Sequence, residues 1–547
     1  MMRKIFMAAA IFSFCLMNVC AAAVIESGLC GENVSWTLDS DGTLTISGNG
    51  EMNDYLMEDK SSESYGWFYY TPWEDFKNQI TKIVILDGVK NIGSHAFTNL
   101  DNLKTVTIAK SVTFIGSQAF VSCKNLTSVI LPQNVKSGNL VFNDCPRLSE
   151  MSITSSSGKK FVASNNLNAH EYTRHANPIK SYLYADGGNL IRFENIGNKI
   201  VVEKYSPDFE LISSENPQLN SLEIWGGFFA GQNFNFVITG NNNDDESDSV
   251  EVIRVSKYDK NWNYISDAKI FGANTEKPFV FASLRCAEDN GTLYVRTAHQ
   301  MYKSPDGLNH QASMAIVINE ADMKVKRLDS LVTFDSMAYV SHSFNQFVLI
   351  DNLKNILMFD QGDAYPRGAV LIRDKNNVEV VNWAGNTGDN ATGASIGGLA
   401  ETANNYVTAY NYDGVGGSPD DYFGVVNKRD LYVAFTSKNN FSNSGTRTLK
   451  IAESAGTPIL VPVNKNGGYI FWDETKHNGQ YYVPSGKIFC AQYDNSGNVS
   501  IISSTDGQLS DCQPIIFNGK ITWYVTNNSA PVFYTFDGNN FTVHEAR

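Results

Sequence analysis

Ile83-Val84-Ile85, Val106-Thr107-Ile108 and Val129-Ile130-Leu131 are one short phrase written three times, each 23 residues after the last. Phe97 and Phe120 keep that interval, and so do Leu103 and Leu126. The third copy loses one residue, so Phe142, Cys145, Leu148, Met151 and Ile153 arrive one place early. A fixed period in the twenties marks a solenoid, because such a unit cannot bury its apolar face alone and must stack on copies of itself. In each copy, alternate residues such as Ile83 and Ile85 share one face of a strand. Gly88-Val89 to Ile92-Gly93 reads as a turn and a second short extended piece, and residues 96–103 as a brief helical return.

The stretches Val89-Lys90-Asn91-Ile92-Gly93-Ser94-His95-Ala96-Phe97 and Val112-Thr113-Phe114-Ile115-Gly116-Ser117-Gln118-Ala119-Phe120 resemble the BspA-type leucine-rich repeat of bacterial surface proteins. The lead-in, with Cys30-Gly31, Trp36-Thr37-Leu38-Asp39 and Gly42-Thr43-Leu44-Thr45-Ile46, is similar to what often precedes such repeats. The resemblance spans residues 24–155, roughly a quarter of the chain. It implies a leucine-rich stack and a place outside the cell, and it speaks for fold rather than ligand. In the third copy Gly138 stands where the isoleucine of Ile-Gly is expected, which argues against a long adhesive surface. Residues 24–80 read as the cap that a solenoid end requires. They contain a hairpin turning at Asp39-Ser40-Asp41-Gly42 and a short helical turn from Glu74 to Gln79.

The chain opens Met1-Met2-Arg3-Lys4, runs apolar from Ile5 to Val19 and reaches Ala21-Ala22-Ala23. That is the form of a secretory signal peptide cut after Ala23. The apolar run is short of the roughly 20 residues of a bilayer span, and no later stretch is long and apolar enough to cross. Cys20 invites a lipid anchor, but Val19 stands where a small residue is expected. Loss of Arg3 and Lys4 takes the formal charge from −14 to −16. An acidic protein lacks the basic footprint that nucleic acid or an anionic membrane requires. Six cysteines follow the leader: Cys30, Cys123, Cys145, Cys286, Cys490 and Cys512. Cys123 and Cys145 occupy one repeat position and read as small buried hydrophobes, with a disulfide between them as the alternative. No spacing suggests a zinc site.

Residues 156–178 read as a linker and 179–547 as all-β. An apolar pair recurs: Leu190-Ile191, Phe236-Val237, Tyr294-Val295, Phe347-Val348, Tyr406-Val407, Tyr469-Ile470 and Tyr524-Val525. One anchor per blade makes a seven-bladed β-propeller, closed by pairing of its first and last segments. Gly226-Gly227-Phe228 and Gly397-Gly398-Leu399 each precede an anchor by about ten residues, and Tyr258-Asp259, Tyr493-Asp494 and Phe536-Asp537 mark turns. The expected fold is mainly β, a short leucine-rich solenoid followed by this propeller.

Several motifs only look catalytic. Gly393-Ala394-Ser395-Ile396-Gly397 has the letters of a nucleophile elbow without the strand and helix around it, and reads as a turn. His170 and His175 are one residue too far apart for a zinc-protease helix. The acidic run 241–249 lacks calcium-loop spacing. Trp225, Trp383, Trp472 and Trp523 read as blade packing. The cluster that could hold a ligand is His299, Asp306, His310, His342, Asp363, Tyr365 and Arg367, from neighbouring blades; the alternative is that these residues staple the blades together. No cofactor is implied, the metal question stays open, and nothing speaks to oligomeric state. The expected function is an exported, non-enzymatic binding protein for an extracellular protein or glycan. The alternative is a secreted polysaccharide hydrolase or lyase using Asp306, Asp363 and Tyr365.

Overall fold

A computed structural model describes residues 22–547 except 56, 59–66, 69, 134, 149, 155–158, 168–175, 198, 331–332, 335–336, 339–343, 365, 375, 390 and 417–424. The His170/His175 motif, His342 and Tyr365 lie outside the described residues. The chain divides into two compact units, Met1–Lys160 and Phe161–Arg547.

In the first unit, Val34–Asp39 and Thr43–Gly48 form the expected hairpin, and Asp39 Oδ1 accepts the Asp41 and Thr43 amides in its turn. Thr43–Gly48 then pairs in parallel with Lys82–Ile85, the first of four rungs continued by Thr105–Ile108, Ser128–Pro132 and Glu150–Thr154. Ile83, Ile85, Val106, Ile108, Val129 and Leu131 are buried, as period-two alternation requires. Trp73, Phe97, Phe120 and Phe142 stack in register, with ring centroids 5.2, 5.1 and 5.3 Å apart. This ladder is the spine of the stack.

Two expectations need correction. The return over 96–103 is not helical. His95 and Asn99, Gln118 and Ser122, and Leu140 and Asp144 all have φ near +55°. Left-handed residues four apart break a helix, and amides such as Phe97 and Phe120 bond instead to the next rung. The residue at the isoleucine place of the third copy is Ser137, paired with Ile115, while Gly138 continues the glycine column of Gly116. Cys123 and Cys145 are free thiols that each reach a carbonyl of an earlier rung, Phe97 and Phe120.

Among its described residues, the second unit makes seven antiparallel sheets in chain order, a seven-bladed propeller: residues 181–215, 224–271, 275–329, 346–382, 394–449, 454–506 and 515–545. Six anchor pairs lie on the second strand of their blade. Phe347-Val348 lies on the first strand of blade four, where Met358-Phe359 takes the second-strand place. That first strand is the edge of its sheet and is half-buried from Phe347 to Ile350, so it repeats the aromatic-aliphatic pair without the full burial of a second strand. The aromatic-Asp turns are hairpins in which the carboxylate accepts backbone amides, as Asp494 does from Ser496 and Asn498 at 2.8 and 2.9 Å.

The apolar cores lie between blades. One joins blades two and three, and others join one to two, four to five, five to six and six to seven. The two remaining seams carry buried ions. Blades three and four share a small core of Ala315, Met358, Val370 and Ile372, and are crossed by the Arg296–Asp360 ion pair. Blades seven and one meet around Arg192, fully buried, with Glu194 at 2.7 Å and Glu203 at 2.6 Å. The Tyr524 hydroxyl of blade seven donates to Glu194 at 2.7 Å. Closure therefore adds side-chain bonds to the expected pairing of ends, which is the short ladder of Ser164–Asn165 with Asn527–Ser529.

Candidate functional site: the axial cavity

First strands line the propeller axis, and each begins at the same face. Two of them need glycine there. A Cβ on Gly397 would sit 1.8 Å from the Pro458 carbonyl oxygen, and one on Gly226 would sit 2.6 Å from the Phe279 ring. The glycine pairs are thus bulges that admit the lead-in of the next blade. Blades three and six respond alike: their first strands break and resume, as Thr275–Pro278 then Arg285–Asp289, and Ser454–Ala455 then Ile459–Asn464.

At this face lies a cavity of about 620 Å³ to which all seven blades contribute, including Lys180, Trp225, Arg285, Phe347, Gln361, Ser395, Thr457 and Asp511. Ser395 lies on the first strand of blade five rather than in a turn, and its hydroxyl is 2.5 Å from that of Thr457. Gln361 is committed to the seam, donating to Thr392 and the Ala394 carbonyl at 3.0 Å each. Trp225 is half-buried on the cavity wall, its indole N–H held by the Ile179 carbonyl at 2.8 Å. It packs on Phe193 and the core of blades one and two, as read, and also lines the cavity, while Trp383, Trp472 and Trp523 are buried.

Asp511 accepts the Lys180 amide at 2.9 Å and the Ser181 hydroxyl. Burial nevertheless pushes its carboxyl up to about 7. An unfolded aspartate releases its proton near 3.8. Between those values the folded state holds more protons, so this group's contribution to stability falls as pH rises. Its burden is absent below the lower value and complete above the upper one. Asp511→Asn is expected to raise the melting temperature relative to the native protein by more at about pH 8 than at about pH 5. A difference that does not change with pH in paired melting curves would refute this.

The described members of the sequence-derived cluster lie on or next to the hairpins joining second to third strands of blades three and four. They separate into three places. His299 is fully buried, its Nδ1 2.7 Å from the Thr275 hydroxyl, and burial pushes it down to about 4, so it is neutral. Asp306 and His310 pair at 2.6 Å on an exposed turn. There the Ser304 hydroxyl, then His310 and the Leu308 amide, hold Asp306 below the usual carboxylate range. Asp363 is buried at the end of its strand, and its carbonyl accepts from Arg367 at 3.3 Å. Arg367 also donates to the carbonyls of Ala384, Asp389, Ala391 and Gly416 at 2.7, 2.6, 2.9 and 3.0 Å. Five N–H groups meet five carbonyls, so this guanidinium organises loops. The cavity itself went unread in the sequence; the signal that pointed to it was the pair of glycine doublets at the start of two first strands. Among the described residues, no group of three His, Cys, Asp or Glu is placed to hold a metal ion, and no helix is long and apolar enough to cross a membrane.

Residues 74–191 match the BspA type Leucine rich repeat region, in six copies. The first unit carries BspA-type leucine-rich repeats. The match runs past the BspA-type rungs into Ser181–Asp186 and Asn189–Ile196, which form an antiparallel hairpin of blade one instead. No curated protein matches the chain. A leucine-rich repeat protein from Eubacterium ventriosum is similar at 20% identity over 27% of this chain and 51% of that one, with a TM-score of 0.18. The chain thus spans about half the length of that protein. A member of the DUF4221 family from Bacteroides vulgatus is similar at 8% identity over 63% of this chain and 98% of that one, TM-score 0.33. An α-L-arabinanase from Cellvibrio cellulosa, complexed with arabinohexaose, is similar at 9% identity over 60% and 96%, TM-score 0.31. At such scores the propeller assignment rests on this chain's own strand pairing.

Proposed function

We propose that the chain is an exported binding protein whose propeller takes an extracellular ligand at the axial cavity, and whose first unit carries a BspA-type repeat surface. The observation that carries the reading is the cavity itself, walled by lead-ins from all seven blades and mixing aromatic faces with amide and cationic groups. Small-molecule sites are concave, with a few placed polar groups among apolar ones. A carboxylate pair of the kind used in glycoside hydrolysis needs two acids a few ångströms apart. Among the described lining residues Asp511 is the one carboxylate, and its oxygens serve Lys180 and Ser181. This favours binding over hydrolysis. The leader of residues 1–23 supports export.

Ser395→Trp would fill the cavity from a rigid strand. Against a glycan and peptide array, the native protein is expected to retain ligands that the variant binds at least about tenfold more weakly, ~1.4 kcal/mol. Ligands held equally by both would refute the axial site. Turnover of a retained polysaccharide by the pure protein would refute the non-enzymatic reading.

A further inference from the structure

Arg285 begins the resumed first strand of blade three and lines the axial cavity. Among the described residues its guanidinium makes one hydrogen bond, to the Leu284 carbonyl at 3.1 Å, and lies 5.1 Å from the Phe347 ring centroid. A guanidinium carries five N–H donors in a fork that matches a carboxylate. Arg367 commits all five to carbonyls; among the described residues Arg285 commits one, on the cavity wall. Burial lowers Arg285 to about 10, so it stays charged at neutral pH. Lys180 is exposed on the same wall, whereas Asp511 is engaged by the scaffold. The cavity thus presents cations in a protein of net charge −14.

A second cavity, of about 670 Å³, runs along the seam of blades one and two and shares Trp225 with the first. Its lining is rich in amides, with Asn195, Asn216, Gln218 and Asn241. Asn195 is 6% exposed, and its Oδ1 has no hydrogen-bond partner among the described residues. An unanswered buried acceptor is costly, and a hydroxyl donor from a ligand would answer it.

We propose that the propeller binds an acidic oligosaccharide, with a sugar carboxylate on Arg285 in the axial cavity and the chain continuing past Trp225 into the seam groove. The proposal rests on the axial binding reading above. Arg285 supplies the fork for the carboxylate, Trp225 an apolar face between the two sites, and Asn195 an acceptor for a sugar hydroxyl. A chain of hydroxylated rings matches an amide-lined groove better than an acidic peptide, whose side chains leave fewer donors.

The test is calorimetric titration of the full chain with trigalacturonic and triglucuronic acids, their neutral methyl esters and a triglutamate peptide. At least one acid is expected to bind, with its ester at least about tenfold weaker. Arg285→Gln should reduce the preference for acid over ester to about threefold or less. Asn195→Leu should weaken the trimer about threefold or more while leaving the monomeric uronic acid unchanged. If Arg285→Gln melts early, Lys180→Gln on the rim replaces it and should weaken the acid about threefold. Equal binding of acid and ester, both lost in Ser395→Trp, would overturn the acidic assignment and leave the axial reading standing. Preference for the peptide would overturn the saccharide. Binding of no probe would overturn the acidic saccharide and leave the axial reading to the array; binding indifferent to Ser395→Trp would overturn both.

Discussion

Arg192→Ala is expected to cost the propeller about 3–5 kcal/mol, measured as a shift in its chemical denaturation midpoint. The guanidinium is fully buried and bonded to Glu194, Glu203, the Val162 carbonyl and the Ser164 hydroxyl. Removing it leaves two buried carboxylates without a counterion, at the seam where blade one meets blade seven. Each of those carboxylates also holds a tyrosine, Glu203 holding Tyr205 and Glu194 holding Tyr524, so the loss spreads to both sides of the closure. Arg192→Lys should recover only part, because an ammonium cannot fork to both acids. The triple variant Arg192→Met, Glu194→Gln, Glu203→Gln should recover more than Arg192→Lys does, since replacing a buried ionic set as a whole avoids the stranded charge. An Arg192→Ala protein that unfolds at the native denaturant concentration would show that ring closure does not depend on this cluster.

Phe120→Ala should cost the first unit about 3–5 kcal/mol, the usual range for emptying a phenylalanine site in a core. Phe120 is fully buried and stacked on both sides, against Phe97 at 5.1 Å and Phe142 at 5.3 Å. A cavity there cannot be refilled by collapse, because the rungs above and below are fixed by the parallel ladders of Thr105–Ile108 and Ser128–Pro132. Phe114, one strand position from the buried Ile115, is 42% exposed. Phe114→Ala should therefore change stability by no more than about 0.5 kcal/mol. Denaturation monitored by a probe in the first unit distinguishes the two. Equal effects would mean that the stacked rings are not the spine of the repeat.

Much of the fold was legible because it is written locally. The 23-residue interval, the hairpin at Asp39 to Gly42 and the blade anchors each depend on residues near one another in the chain. The misreadings share a cause. Residues 96–103 have a helix-compatible pattern, yet left-handed His95 and Asn99 turn the amides toward the next rung. Phe347-Val348 resembles the other anchors in residue type, but it lies on a half-buried edge strand, which only its pairing with Ile356–Asp363 reveals.

The candidate site was legible only in fragments. Asp306 and His310 are four residues apart and do meet, since one hairpin turn suffices to join them. Arg367 looked like a ligand group, but its partners come from loops up to 49 residues away that only the folded ring brings to it. Arg285, Trp225, Ser395 and Asp511 carry no shared motif, because each is placed by the start of a different blade. By itself the sequence determined what periodicity can encode: a stacked leucine-rich unit, a ring of β-sheets, and the glycine doublets where backbones cross. The tertiary structure alone decided which cations stay unpaired and where a cavity opens, because both depend on groups hundreds of residues apart converging on one axis.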